Sequence, residues 1–130
     1  MTSDVHHKSA LVVDDIDVMR RSVANVLRKQ GFSPVDEVSS VSEALEKMAD
    51  DGGYDLILSD WNMDSQNGLD LLISVRADAS CEKSIFVLMT AEPTDEKQAA
   101  AEAAGASGFL VKPFGVETLV SEVEKFFSLE

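Results

Sequence analysis

The chain has 130 residues, 45% apolar and 27% charged, enough for one core without a disulfide or structural metal. Acids outnumber Lys and Arg by 24 to 11, a formal net charge of −13, which argues against nucleic acid or membrane as a partner and suits a divalent cation or a basic patch. The one cysteine, Cys81, rules out an intramolecular disulfide, and no apolar run approaches the about 20 residues that span a bilayer, so a cytoplasmic location is expected.

Residues 1–8 lack the apolar segment of a signal peptide and read as a flexible N-terminus. Leu11-Val12-Val13 is continuous rather than alternating, as in a parallel strand covered on both faces. Ile16, Met19, Val23, Val26 and Leu27 then share one helical face, and Gly31 follows as a stop. A weaker strand is predicted from Pro34 to Val38. Ser40-Val41-Ser42-Glu43 reads as a capping box for a helix carrying Ala44, Leu45 and Met48, which ends in Asp50-Asp51-Gly52-Gly53. Leu56-Ile57-Leu58 is the third strand, followed by a helix from Gly68 to about Ala77 with Leu69, Leu72 and Val75. Phe86-Val87-Leu88-Met89 is the fourth. Thr94 is a candidate N-cap, with Asp95 and Glu96 in the first turn of an alanine-rich helix that stops at Gly105. Phe109-Leu110-Val111 is the fifth strand. The last helix carries Val116, Leu119, Val120, Val123, Phe126 and Phe127 on one stripe.

Five strands alternating with five helices predict an α/β fold in one domain over residues 1–130, an open parallel sheet with helices on both faces. The natural order is 2-1-3-4-5, as in flavodoxin-like folds, with the ligand crevice at the carboxyl ends of strands 1 and 3. Strand 1 ends in Asp14-Asp15 and strand 3 in Ser59-Asp60, so three carboxylates converge there. Their mutual repulsion calls for a cation, and oxygen-only ligands at a half-open site favour Mg²⁺. Strand 4 ends in Thr90 and strand 5 in Lys112-Pro113, adding a hydroxyl and an ammonium to the same mouth. An aspartate there can act as nucleophile toward a phosphoryl group, with Lys112 and Thr90 meeting its charge.

The stretches LVVDD, SDWNM, NGLDLL, LMTAE and GASGFLVKPF together closely resemble the response-regulator receiver family, in its stand-alone chemotaxis (CheY-like) form. The likeness runs from about Ser9 to Phe127. It implies a two-component signalling protein in which Asp60 accepts a phosphoryl group from a histidine kinase. It implies Mg²⁺, with Mn²⁺ as a possible substitute, ligated by Asp15 and Asp60, by Asp14 through water and by the Asn62 carbonyl. Thr90 and Phe109 match the switch pair, and Lys112 the residue that pairs with the phosphoryl. Lys112-Pro113 matches a cis peptide. Asn62 and Glu92 match the positions that tune phosphoryl lifetime, in a pattern associated with rapid self-dephosphorylation.

Two departures stand out. Asp64 occupies a position where most relatives carry proline; it either tightens metal binding or is a solvated loop acid. The usual output face, formed by the fourth helix, fifth strand and fifth helix, carries Asp95, Glu96, Glu102, Glu117, Glu122 and Glu124 against Lys97 and Lys125. Relatives that bind the flagellar motor use basic residues there, which puts that partner in question; the other reading is a plain solvated acidic face. Trp61 reads as a partly exposed packing residue. With the chain ending at the fifth helix, output is expected through partner binding, with phosphorelay or a phosphate sink as alternatives. The chain is expected to be a switch, not an enzyme. A Mg²⁺-dependent phosphohydrolase would need a second acid where Asn62 stands. A flavin carrier would need a phosphate loop where Asp14-Asp15-Ile16-Asp17 stand.

Overall fold

The computed structural model describes residues 8–63, 66–78 and 83–127. The expectations for residues 1–7, Asp64 and Cys81 lie outside these. Along the chain run β1 (Ala10–Val13), α1 (Asp17–Gln30), β2 (Val35–Val38), α2 (Val41–Asp51), β3 (Leu56–Asp60), α3 (Gly68–Ala77), β4 (Ile85–Thr90), α4 (Asp95–Ala104), β5 (Gly108–Val111) and α5 (Val116–Glu124). The strands form one parallel sheet in the order β2-β1-β3-β4-β5. Register places Val13 beside Ser59, and Asp60 beside Met89, so the polar residues that follow each apolar run emerge at one edge.

The continuous apolar runs are explained by two cores. Ala10, Val12, Leu56, Leu58, Val87 and Met89 face α1 and α5, while Leu11, Val13, Ile57, Phe86 and Leu88 face α2, α3 and α4. Alternate residues of each strand therefore meet different helices, and neither face tolerates polarity. Among the described residues no helix is long and apolar enough to cross a membrane.

Several local expectations need correction. Ile16 is not on the buried face of α1; it precedes the helix with extended backbone and is 56% exposed. Val116, at the first position of α5, and Leu45 also face solvent, because an apolar stripe seats fully only where a helix crosses the sheet. Trp61 is buried rather than partly exposed. The predicted capping box of α2 is half present. The Ser40 hydroxyl accepts the Glu43 N–H at 3.1 Å, but Glu43 reaches one residue further back and accepts the Ser39 N–H at 2.9 Å. A complete box occurs instead at α3, between Asn67 and Asp70. Thr94 does cap α4, accepting the Lys97 N–H at 3.1 Å.

Gly68 fixes how α3 meets the sheet. A Cβ there would overlap the Asp60 carbonyl oxygen and lie 2.8 Å from Leu88 Cδ2, so only glycine lets the helix start this close to β3. The Gly68 N–H donates to the Trp61 carbonyl at 2.9 Å, closing the turn that follows Asp60.

Candidate functional site: the carboxylate mouth

Asp14, Asp15 and Asp60 each offer an oxygen within 4.8 Å of the others at the carboxyl ends of β1 and β3. Asp14 is fully buried. Its Oδ1 accepts the Ile16 N–H at 2.9 Å and its Oδ2 accepts from Lys112 Nζ at 3.0 Å. Lys112 Nζ also lies 3.1 Å from Asp60 Oδ1. The Lys112–Pro113 peptide is cis, and the Lys112 N–H donates to the Thr90 carbonyl at 2.8 Å, extending the β4–β5 ladder to the lysine. The mouth is an open cleft of about 520 Å³ lined by Asp15, Asp60, Asn62, Met63, Ala91 and Lys112 among others.

Burial is the main force on Asp60 and pushes its pKa above the ordinary carboxylate value. The hydrogen bond and charge of Lys112 oppose the rise, while the Asp14 and Asp15 charges reinforce it. Burial also works against the Lys112 charge, but hydrogen bonds and charge from Asp14 and Asp60 outweigh it, so that ammonium is held above its usual pKa. One cation thus serves two buried acids, with a third beside them.

This donor set suits a hard divalent cation: oxygens only, in a cleft open to water. Both Asp14 oxygens are already engaged by Ile16 and Lys112, which leaves Asp15 and Asp60 as the carboxylates best placed to coordinate. Asn62 follows at the exposed rim.

Thr90 is fully buried at the end of β4, its Oγ1 accepting the Glu92 N–H at 3.1 Å. Glu92 is exposed, 3.9 Å from Lys97 Nζ. Phe109 is half-buried, and its ring meets the Trp61 ring edge-on at 6.3 Å between centroids. Lys97 Nζ stands 5.6 Å from the centre of the Trp61 ring, so Trp61 bridges the end of β3 to α4.

Two supports of the site escaped the sequence reading. Arg20 donates from Nη1 to the Asp14 carbonyl at 3.0 Å, six residues along the chain. The Ser59 hydroxyl donates to the Asp60 carbonyl at 3.0 Å. Neither carries a sequence signal, since an arginine on a helix and a serine before an acid are both commonplace.

A family model for the response regulator receiver domain matches residues 10–124. The chain is 38% identical over 117 residues to the chemotaxis protein CheY of Pseudomonas aeruginosa, covering 90% of this chain and 94% of that protein. It is 39% identical over 117 residues to CheY-3 of Vibrio cholerae, covering 90% and 89%. Among solved structures, that of Vibrio cholerae CheY4 superposes with a TM-score of 0.86 at 32% identity, covering 92% of this chain and 98% of the other.

Proposed function

Because the chain belongs to the response regulator receiver family of two-component signalling, we propose that it is a phosphorylation switch whose acceptor is Asp60. The observation that carries this is the convergence of Asp14, Asp15 and Asp60 at one mouth, where Lys112 pairs with both Asp14 and Asp60, 3.1 Å from the latter. An Asp60 oxygen attacks the phosphorus of a kinase phosphohistidine. A P–O bond forms, the P–N bond breaks, and the imidazole leaves with the bonding pair. Lys112 already touches Asp60 and meets the charge gathering on the transferred group. The Thr90 hydroxyl, released from Glu92, donates to a phosphoryl oxygen. Asp15, Asp60 and the Asn62 carbonyl, with Asp14 behind, would hold Mg²⁺, which would supply charge neutralisation at the phosphoryl group.

The phosphoryl adds about −1.5 to −2 charge at the mouth, and that shifts a two-state equilibrium. Thr90 moves toward the phosphoryl and Phe109 follows inward, changing the face made by α4, β5 and α5, to which a target protein binds. The relatives' names point to chemotaxis as the process, and we place the protein in the cytoplasm with a histidine kinase as donor. It acts on no separate substrate. Asn62 and Glu92 are both exposed at the rim and leave a path for water, so the phosphoryl group is short-lived.

Incubation with acetyl phosphate and Mg²⁺, followed by intact-mass measurement, should show one phosphoryl group, absent in Asp60→Asn and without EDTA-resistant labelling. Equal labelling of Asp60→Asn would overturn the assignment, and a phosphoryl that persists for hours with Mg²⁺ present would overturn the lifetime.

A further inference from the structure

Away from the mouth, a cleft of about 260 Å³ opens over β5 between α4 and α5, with Ala101, Glu102, Ala106, Phe109, Glu122 and Lys125 in its walls. The sequence pattern places Glu122 on a solvated acidic face, yet it is only 9% exposed. Its Oε1 accepts from Lys125 Nζ at 2.9 Å, and that lysine side chain is itself 64% exposed. Its Oε2 lies against Gly108, where a Cβ would overlap it and would sit 3.3 Å from Val87 Cγ2. The carboxylate is therefore seated by the shape of β5, while its charge is offset by an exposed lysine three residues on, at the C-cap of α5. Lys125 is the cation set against it, and a carboxylate can accept from more than one donor, so Glu122 keeps capacity for a second.

We infer that this cleft is a socket for an arginine side chain presented by the target protein. The inference rests on the α4–β5–α5 face being the output surface, and it names the chemistry that docks there. A guanidinium fork matches a carboxylate geometrically, and Arg is the cation most often found at the buried centre of an interface. Ala101, Ala106 and the Phe109 ring offer apolar surface to its methylene stem, and Glu102 is a second acid at the same cleft. The wider face repeats the sign, with Asp95, Glu96, Glu117 and Glu124 exposed and only Lys97 and Lys125 opposing them. Phe109 lines the socket and also contacts Trp61, the residue after the acceptor, so movement of that ring carries the state of Asp60 to the socket wall.

The test is an amide chemical-shift titration of the ¹⁵N-labelled full chain with n-butylguanidinium, using n-butylurea as the uncharged counterpart. Saturable shifts are expected at Ala106, Ser107, Gly108, Phe109 and Glu122 with the guanidinium alone. Glu122→Gln should weaken binding about tenfold or more by removing the charged acceptor. Lys125→Ala, with its melting temperature and ¹⁵N spectrum first matched to the parent fold, should strengthen binding by removing the competing cation. Equal response to the urea, unsaturated shifts spread over all acids, or Lys125→Ala that weakens or leaves binding unchanged would each overturn the socket. Beryllofluoride with Mg²⁺ separates the two readings. If it moves Thr90 and Phe109 while the socket stays empty, only the socket fails. If the socket fills while Thr90 and Phe109 stay unmoved, the phosphorylation switch fails.

Discussion

At the amino ends of the strands, Asp55 accepts the Ser9 N–H at 2.8 Å and its own N–H donates to Ser9 Oγ at 3.1 Å. Nearby, the Ser84 hydroxyl donates to the Tyr54 carbonyl, and Arg76 donates to the carbonyls of Ser84 at 2.7 Å and Gly105 at 2.9 Å. At the carboxyl ends, by contrast, Asp14 and Asp60 share one ammonium, with Asp15 a third acid beside them. Both ends bury polar groups beside the same apolar sheet. One end satisfies them with partners from the chain itself, and the other leaves an excess of negative charge. Structure is maintained at the first end, and capacity for a ligand is held at the second.

The sharpest way to break this contrast is Asp60→Asn, which should abolish phosphoacceptance entirely while stabilising the metal-free protein. Burial, with Asp14 and Asp15, raises the folded pKa of Asp60 despite Lys112. A carboxyl raised in the folded state contributes most below its unfolded pKa, and that contribution is lost as pH rises through the folded value. At neutral pH the ionised Asp60 therefore opposes folding, and the amide should raise the melting temperature in EDTA by a few degrees. A lower melting temperature would show that the Lys112 pair outweighs burial.

Arg76→Met applies the same logic at the other end with opposite sign. It strips two backbone carbonyls and Ser107 Oγ of a donor, and should cost about 3 kcal/mol in urea denaturation. The labelling of Asp60 by acetyl phosphate should be unchanged in the folded fraction. Mg²⁺ should stabilise the wild type by about 2.7 kcal/mol at one hundred times its dissociation constant. That gain should vanish in Asp15→Asn and persist in Asp55→Asn, since Asp55 already has its partners. Equal gains in the two variants would mean that the acids at both ends bind cations alike.

The carboxyl-end mouth was legible in the sequence because each of its acids, its hydroxyl and its lysine stands within two residues of the end of an apolar run. Once burial on both faces fixes the runs as parallel strands, their polar successors must share one edge. The amino-end network was not legible, since Ser9 and Asp55 are 46 residues apart and nothing in either neighbourhood announces the other. Glu122 was misplaced for a related reason. On α5 it looks like Glu117 or Glu124, and only the glycine opposite it on β5 lets it tuck inward. Ile16 was assigned to a helix face because its spacing fits, but the Ile16 N–H is bound by Asp14 and the helix begins one residue later.

The smallest predicted effect concerns a carboxylate near the same mouth whose pKa moves the other way. Glu43 sits in the first turn of α2, and hydrogen bonds from the Ser39 hydroxyl and then the Ser39 N–H lower its pKa, with burial opposing weakly. A carboxyl lowered in the folded state contributes stability above its unfolded pKa and loses it as pH falls through the folded value. Glu43→Gln should therefore reduce stability at neutral pH, by well under the about 1 kcal/mol of a complete cap because the site is exposed. The difference from wild type should shrink to nothing in acid. Asp60→Asn should show the mirror image, a gain at neutral pH that also disappears in acid. Melting curves of the three proteins across pH thus separate a carboxylate placed where the chain donates to it from one placed where the chain withholds partners. If both variants shift stability in the same direction, the acid excess at the mouth is not a strain on the fold, and the contrast between the two ends of the sheet loses its energetic basis.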